Sequence, residues 1–460
     1  MKYLIATVWV LLTCMLGYIP SQDDFILIIG LYAPLFVLYL ITYRLFTTHK
    51  DILFFVFIAL FVRFCLLFAF PNLSDDIYRF LWDGHLTLRG VNPFFYTPAE
   101  WMEMPDGQSE VFQGLFPFLN SPEYYSVYPP VCQSIFAFVV KCFPDSFFWA
   151  SVLIKLFFLV AELITIYILL KLVKQLGIQQ KRVLLYALNP LIIIELSGNL
   201  HFEAIMIFFL VIALWSFYRN RSKLFGIFMA CSIGTKLLPL MFLPFFLRRL
   251  SLRDMIWAFV SGILALSLFT FPFFDLQVVT RFTSSIELYF QKFEFNASIY
   301  YVFRWLGYQW KGYNLIQSLG PLLSYLTIAI ILIMAWRERT MDLHHFLKAS
   351  LLTFTAYLLL ATTVHPWYLS IPILLSVFTY YRYPVFWSGL IFFTYINYSY
   401  QPYHENLWIV AGEYLIVLSI FVMEWFKLPV VKVILDVSKL LLRGTVDLYW
   451  NLRGEEGDKK

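Results

Sequence analysis

Long apolar runs broken by short basic or polar stretches fill the chain, and many runs approach the roughly 20 residues that an α-helix needs to cross a bilayer core. In lipid an unpaired backbone group costs several kcal/mol, so these runs are predicted as helices rather than loops or open sheets. About eleven to thirteen such segments can be drawn. Two stretches do not fit whole spans. Residues 131–143, bounded by Tyr128-Pro129-Pro130 and Phe143-Pro144, are too short to cross and are expected to dip in and return. Residues 224–247 have basic groups at both ends and Gly234-Thr235-Lys236 in the middle, the pattern of two half-helices meeting inside the membrane with Lys236 at the hinge.

No Ser/Gly linker and no internal repeat interrupts the pattern, and the polar stretch at 71–128 is the one long enough to form a sizeable loop. The expected architecture is an all-α polytopic integral membrane protein, with one membrane domain over 1–426 and a long outer loop at 71–128. Residues 428–452 alternate apolar and charged positions, so 427–460 is read as an amphipathic cytoplasmic segment with a polar tail. Composition supports lipid as the solvent, with 61% hydrophobic and 14% charged residues and a mean hydropathy of +0.73.

The net charge of +5 points to no nucleic-acid partner, because Lys and Arg concentrate in loops where they set orientation. Basic clusters at 44–50, 171–182, 219–223, 248–253, 336–339, 381–382 and from 427 are placed on the cytoplasmic side. Residues 74–85, 197–203, His365-Pro366-Trp367 and 400–406 then share the outer face of the cell (inner) membrane. Cys14, Cys65, Cys132, Cys142 and Cys231 form no Cys-x-x-Cys and are read as core filler. The first sixteen residues have the look of a signal peptide, but Thr13 stands where a lipoprotein cleavage site wants a smaller residue, so a retained first helix is expected.

Candidate chemistry concentrates in residues 74–85, SDDIYRFLWDGH. As a helix this run puts Asp76, Arg79, Phe80 and Asp83 on one face at i, i+3, i+4 and i+7, with Ser74 and Asp75 at its start. Clustered carboxylates suit a general base that takes a proton from a hydroxyl; an interfacial helix with an Asp–Arg pair and an anchoring Trp82 gives the same pattern. Tyr96, Tyr128 and Gln133 sit in aromatic, proline-rich pieces that either stack on a sugar or turn at the membrane edge. Asn199, His201 and Glu203 are expected on an outer hairpin tip, where His201 either donates to an oxyanion or caps a helix. An ammonium inside an apolar run is costly, so Lys236 is read as binding phosphate in a cavity. Arg304 and His365 are outer-side phosphate or sugar ligands or interfacial anchors, and His344-His345 is read as solvated. Asn296-Ala297-Ser298 matches a glycan-acceptor sequon for a secretory-pathway chain. A divalent metal has Asp75 and Asp76 as partial ligands, but the set is incomplete and no metal or cofactor is assigned. No nucleotide-binding glycine loop is present.

Ser74-Asp75-Asp76-Ile77-Tyr78-Arg79-Phe80-Leu81-Trp82-Asp83-Gly84, Gly90-Val91-Asn92-Pro93-Phe94, Tyr128-Pro129-Pro130, Leu188-Asn189-Pro190, Gly198-Asn199-Leu200-His201, Thr235-Lys236 and His365-Pro366-Trp367-Tyr368 follow one another along the chain. This succession resembles the bacterial mannosyltransferase-like membrane glycosyltransferases of the GT-C superfamily, which use polyprenyl-phosphate sugars. The hairpin before residue 50 departs from the plainest pattern. The resemblance implies an inverting transfer of a hexose, mannose by likeness, from a polyprenyl-phosphate sugar to a lipid or glycan acceptor in the bilayer. Asp75 or Asp76 would deprotonate the acceptor, and Arg79, Asp83, Tyr128, His201, Lys236, Arg304 and His365 would hold substrate. A transporter or flippase shares the half-helices, but those usually show repeat symmetry. A lipid-linked polysaccharide polymerase or ligase would rely on Arg and His in large outer loops rather than on an acidic helix.

Overall fold

A computed structural model describes residues 1–273, 275, 277, 278, 280, 281, 292–340 and 342–428. All but the first two residues of the amphipathic segment expected at 427–460 lie outside that set. The apolar runs form helices α1 (Lys2–Tyr18), α2 (Phe25–Leu45), α3 (His49–Cys65), α4 (Asp76–Leu88), α5 (Pro130–Cys142), α6 (Phe147–Gln175), α7 (Glu203–Tyr218), α8 (Ser222–Thr235), α9 (Leu252–Thr270), α10 (Ile299–Lys311), α11 (Ile316–Arg337), α12 (Leu343–Leu360) and α13 (Leu407–Trp425). Among the described residues seven spans are long and apolar enough to cross a membrane: α2, α3 with the turn that continues it to Phe68, α6, α9 with the turn to Phe273, α11, α12 and α13. The protein is a polytopic membrane protein.

The two irregular stretches take the forms their lengths demand. Residues 130–142 make the short helix α5, and α8 ends at Thr235, after which Lys236 is extended and the chain continues through short 3₁₀ and helical turns. A third break carries no comparable signal. A π-helical turn, Ile192–Gly198, meets α7 at 111°. Residues 197–203 are therefore no exposed hairpin tip, because each of them is buried in this bend. The polar loop is also more ordered than its composition suggests, with short helices at Pro98–Met102 and Glu110–Leu115.

Helices approach closely where side chains are small, as expected where lipid gives little hydrophobic drive between helices. A Cβ on Gly84 of α4 would lie 2.7 Å from Phe136 O and from Val140 Cγ2 of α5. Gly226 of α8 likewise has no room for a side chain against the Ala258 backbone of α9.

Buried Arg63, Glu162 and Lys155 have hydrogen-bond partners, and the first two form an ion pair. Arg63 of α3 donates from Nε to Glu162 of α6 at 3.1 Å and from Nη1 to Ala187 O at 2.7 Å, while Tyr186 Oη donates to the other Glu162 oxygen at 2.6 Å. Both charged side chains are fully buried. Lys155 Nζ, also buried, donates to Leu66 O at 3.1 Å and Ala69 O at 2.5 Å, closing the carbonyl end that follows α3.

Several of the basic clusters meet, in two groups. His49 contacts Gln180 at 2.7 Å, Lys181 lies over Tyr43, Arg182 donates to Thr379 O at 3.2 Å, and Arg248 and Arg249 donate to Trp336 O and Thr340 O, each at 2.7 Å. Two smaller expectations are corrected here. Asn296 cannot serve as a glycan acceptor, because it is fully buried and its amide donates to Glu413 at 3.1 Å. Cys132 and Cys231 are buried, but Cys142 is exposed rather than core filler.

Candidate functional site

Helix α4 starts at a run of acids, and its N-terminal amides favour negative charge there. Asp75 is the N-cap residue, yet its side chain makes no cap bond; Ser74 Oγ accepts from the Asp76 amide at 3.4 Å, and Asp75 Oδ1 accepts from Asn120 Nδ2 at 2.8 Å. Both carboxylates thus stay available at the mouth of the helix. Burial, and then the neighbouring Asp76 carboxylate, push the Asp75 carboxyl up to about 6, against the pull of its backbone hydrogen bond, Asn120 and His201.

One turn further the acidic motif does structural work. Arg79 Nε donates to Asp83 Oδ1 at 2.9 Å and Arg79 Nη1 to Tyr124 O at 3.0 Å. Asp83 is fully buried, and its other oxygen accepts from Ser126 and, at 2.9 Å, from Gln133 Nε2. The pair ties residues 124–133 to α4. Arg79 Nη2 is buried with no hydrogen-bond partner among the described residues. Trp82 packs on Phe112 of the loop, and Gly84 admits α5. Tyr128 sits edge-on to Phe80 and Phe136, and burial with the nearby Asp76 carboxylate pushes its phenol well up.

His201 faces the acids from the bend before α7. Its Nε2 lies 3.8 Å from Asp76 Oδ2, and its Nδ1 lies 2.9 Å from Glu195 O and 3.3 Å from the Glu195 carboxylate. The ring stacks on Trp367 at 3.7 Å, and His365 stacks on Trp367 at 4.4 Å. An indole therefore separates two imidazoles. Among the described residues, His201 Nε2 and His365 Nδ1 are buried without hydrogen-bond partners. Burial, then the charges of His201 and Lys236, push His365 down to about 3, so its ring is neutral at ordinary pH. Lys236 Nζ donates to the fully buried Glu203 at 2.5 Å and lies 6.0 Å from the Tyr368 ring centre. Glu203 Oε2 has no partner among the described residues.

Arg304 belongs to a second cluster. It is paired with Glu294 and lies over the Tyr301 ring, and Tyr301 in turn donates to Glu405. The strip at Phe293–Asn296 separates the clusters: Phe295 pairs with Thr363, just before His365, and stacks on the His365 ring at 4.7 Å. Among the described residues no three His, Cys, Asp or Glu side chains are grouped as a metal ion requires.

Sequence reasoning singled out Asp75, Asp76, His201, Lys236 and His365, and the structure gathers them. It passed over Glu195, although a lone carboxylate in Ile192-Ile193-Ile194-Glu195-Leu196 is the sort of intramembrane acid that marks function. It also missed Asn120, which no spacing connects to Asp75.

Comparison with known proteins adds a class. Residues 23–250 match the family described as alpha-(1->6)-mannopyranosyltransferase, N-terminal domain. The chain is 28% identical over 226 residues to GPI mannosyltransferase 1 of Candida albicans, a match covering 46% of this chain and 54% of that protein. The chain thus spans about half the length of this curated relative. No solved structure matches. Asp75, Asp76, His201 and Lys236 fall inside the family match, whereas Trp367 and His365 lie beyond it.

Proposed function

We propose that this chain is a membrane mannosyltransferase that moves mannose from a polyprenyl-phosphate sugar to the hydroxyl of a lipid or glycan acceptor, with inversion, at the outer face of the membrane. The class follows from the two mannosyltransferase matches. The chemistry rests on one observation: the acids at the start of α4 stand opposite buried, unpartnered imidazole nitrogens on His201 and His365, with Lys236 beside them. One side of this arrangement can take a proton, and the other can receive an anion.

In the proposed reaction Asp76, backed by Asp75, takes the proton of the acceptor hydroxyl as its oxygen attacks the anomeric carbon. The bond from that carbon to the phosphate oxygen breaks, and its electron pair leaves with the lipid phosphate. The phosphate passes from one negative charge to two, so fixed donors beside it favour products over the bound donor. Lys236 and His365 would meet that charge, joined by His201 once its Nε2 carries a proton. Both faces of Trp367 are covered by imidazoles, so the indole acts as a spacer rather than a sugar platform. Arg79 and Asp83, bonded to each other and to residues 124–133, would shape the wall of the acceptor side. Tyr128 would sit on that wall. Arg304 would act from the neighbouring cluster across Phe295. The outer-face assignment is supported by α3, which starts in the basic cluster at 44–50, where His49 meets Gln180, and leads at its other end to the acidic start of α4.

The test is transfer of radiolabelled mannose from polyprenyl-phosphate mannose in membrane vesicles. Asp76→Asn should lower the rate by about 10²–10⁴-fold without lowering protein abundance. Full activity in that variant would overturn the assignment of the base.

A further inference from the structure

We infer that Glu195 is a positioning residue that holds the His201 imidazole with Nδ1 as donor and Nε2 facing Asp76, making His201 the relay for the transferred proton. The inference rests on the transfer reaction proposed above and deepens it.

Glu195 is fully buried and fully engaged. Tyr395 Oη donates to Oε1 at 2.8 Å, Asn199 Nδ2 donates to Oε2 at 3.2 Å, and His201 Nδ1 lies 3.3 Å from Oε2. The Glu195 carbonyl accepts from the same Nδ1 at 2.9 Å. Two acceptors on one residue hold Nδ1 as a donor, which turns Nε2 toward the Asp76 carboxyl 3.8 Å away.

The backbone is bent to achieve this. Residues Ile192–Gly198 form a π-helical turn, the Asn199 amide donates to Ile194 O at 2.9 Å, and Leu200 takes φ +65°. π-turns and left-handed non-glycine residues are unfavourable and cluster at functional sites. Without the extra residue in the turn, Glu195 would not present both its carbonyl and its carboxylate to one ring.

The proton balance closes. Asp76 takes the acceptor hydroxyl proton, Nε2 then takes it from Asp76, and the Glu195 carboxylate on the far side of the ring compensates the imidazolium. From Nε2 the proton can pass to the departing phosphate, which has gained a negative charge. Asp76 is returned ionised for the next cycle. Merely satisfying the polar groups of a helix break would require a hydrogen-bonding residue here but not a charge.

The experiment uses the full-length protein in lipid vesicles, with Glu195→Gln, His201→Gln, the double variant and Asp76→Asn measured together. Glu195→Gln preserves shape and removes the charge. It should lower kcat by about 10–10⁴-fold, the range between losing a carboxylate behind a metal-bound histidine and losing one behind the histidine of a serine–histidine–aspartate triad. The KM for polyprenyl-phosphate mannose and the thermal midpoint should stay near wild type. Placed on top of His201→Gln, it should cause no further loss, because both act through one ring. Unchanged kcat in Glu195→Gln, or losses that multiply in the double variant, would overturn the relay. Should Glu195→Gln not fold, Tyr395→Phe, which deletes one donor to the same carboxylate, must lower kcat severalfold and only when His201 is present; an unchanged kcat overturns the relay equally. Full activity in Asp76→Asn overturns Asp76 as the base and the relay with it, a dead Asp76→Asn with a fully active Glu195→Gln sinks the relay alone, and no transfer by the wild-type protein sinks the transfer reading itself.

Discussion

Asp75 offers the sharpest test, because its carboxyl is pushed up to about 6, chiefly by burial and then by Asp76. A carboxylate that titrates there is about nine-tenths ionised at pH 7 and about one-tenth ionised at pH 5. If transfer needs the ionised pair, the rate falls about tenfold across that interval, and the limb vanishes in Asp75→Asn. The same shift has a stability consequence. The folded value lies above the ordinary one, so the fold favours the protonated form; that contribution is complete below about pH 4 and lost as pH rises through about 6. The displacement corresponds to about 3 kcal/mol, reduced toward about 1–2 kcal/mol by solvent at the partly open mouth. Asp75→Asn should therefore melt at a higher temperature than wild type at pH 8 and at nearly the same temperature at pH 4. Rates and melting midpoints in vesicles or micelles across pH 4–8 read both effects, and the stability comparison needs no activity. An acid limb near pH 6 that persists in Asp75→Asn, together with no stability gap at pH 8, would refute the reasoning.

Gly84→Ala forces a methyl to within 2.7 Å of Phe136 O and should cost about 1–3 kcal/mol, read as a lower thermal midpoint in detergent. Glu162→Ala leaves Arg63 buried alone and should cost about 3–5 kcal/mol, whereas Arg63→Met combined with Glu162→Leu should come close to wild type in the same melt. Lys236→Met should raise the donor KM about tenfold or more, measured by donor titration, if Lys236 holds the phosphate as proposed; an unchanged KM would remove it from that role. Glu123 is exposed in the polar loop, and a cysteine there in a cysteine-free background should react with an impermeant reagent from outside; reaction only after permeabilisation would reverse the orientation.

Helix content and breaks were legible where they depend on local pattern. The length of residues 130–142 and the Gly234-Thr235-Lys236 interruption both register in the sequence because a bilayer sets a fixed length and a fixed cost for charge. The acids of α4 were legible for the same reason. What escaped depends on pairs distant in the chain. Arg63 and Glu162 satisfy each other across two helices, and no periodicity links them. The π-turn escaped because one extra residue per turn has no compositional signature, and with it went the bend that buries His201 and the role of Glu195. Asp83 shares the acidic face as the spacing requires, yet its bonds to Arg79, Ser126 and Gln133 depend on how the loop returns, which spacing does not encode.

The indole of Trp367, held between the imidazoles of His201 and His365, also sets an order of events during synthesis. The acids, His201 and Lys236 leave the ribosome well before Trp367 and His365. A nascent chain that has inserted its first half carries Asp75, Asp76, His201 and Lys236 but lacks Trp367 and His365, which pack against His201. The cluster is therefore completed late, when the last third of the chain docks, and under the proposed transfer a half-made molecule would be poorly equipped to cleave a lipid-linked sugar without an acceptor.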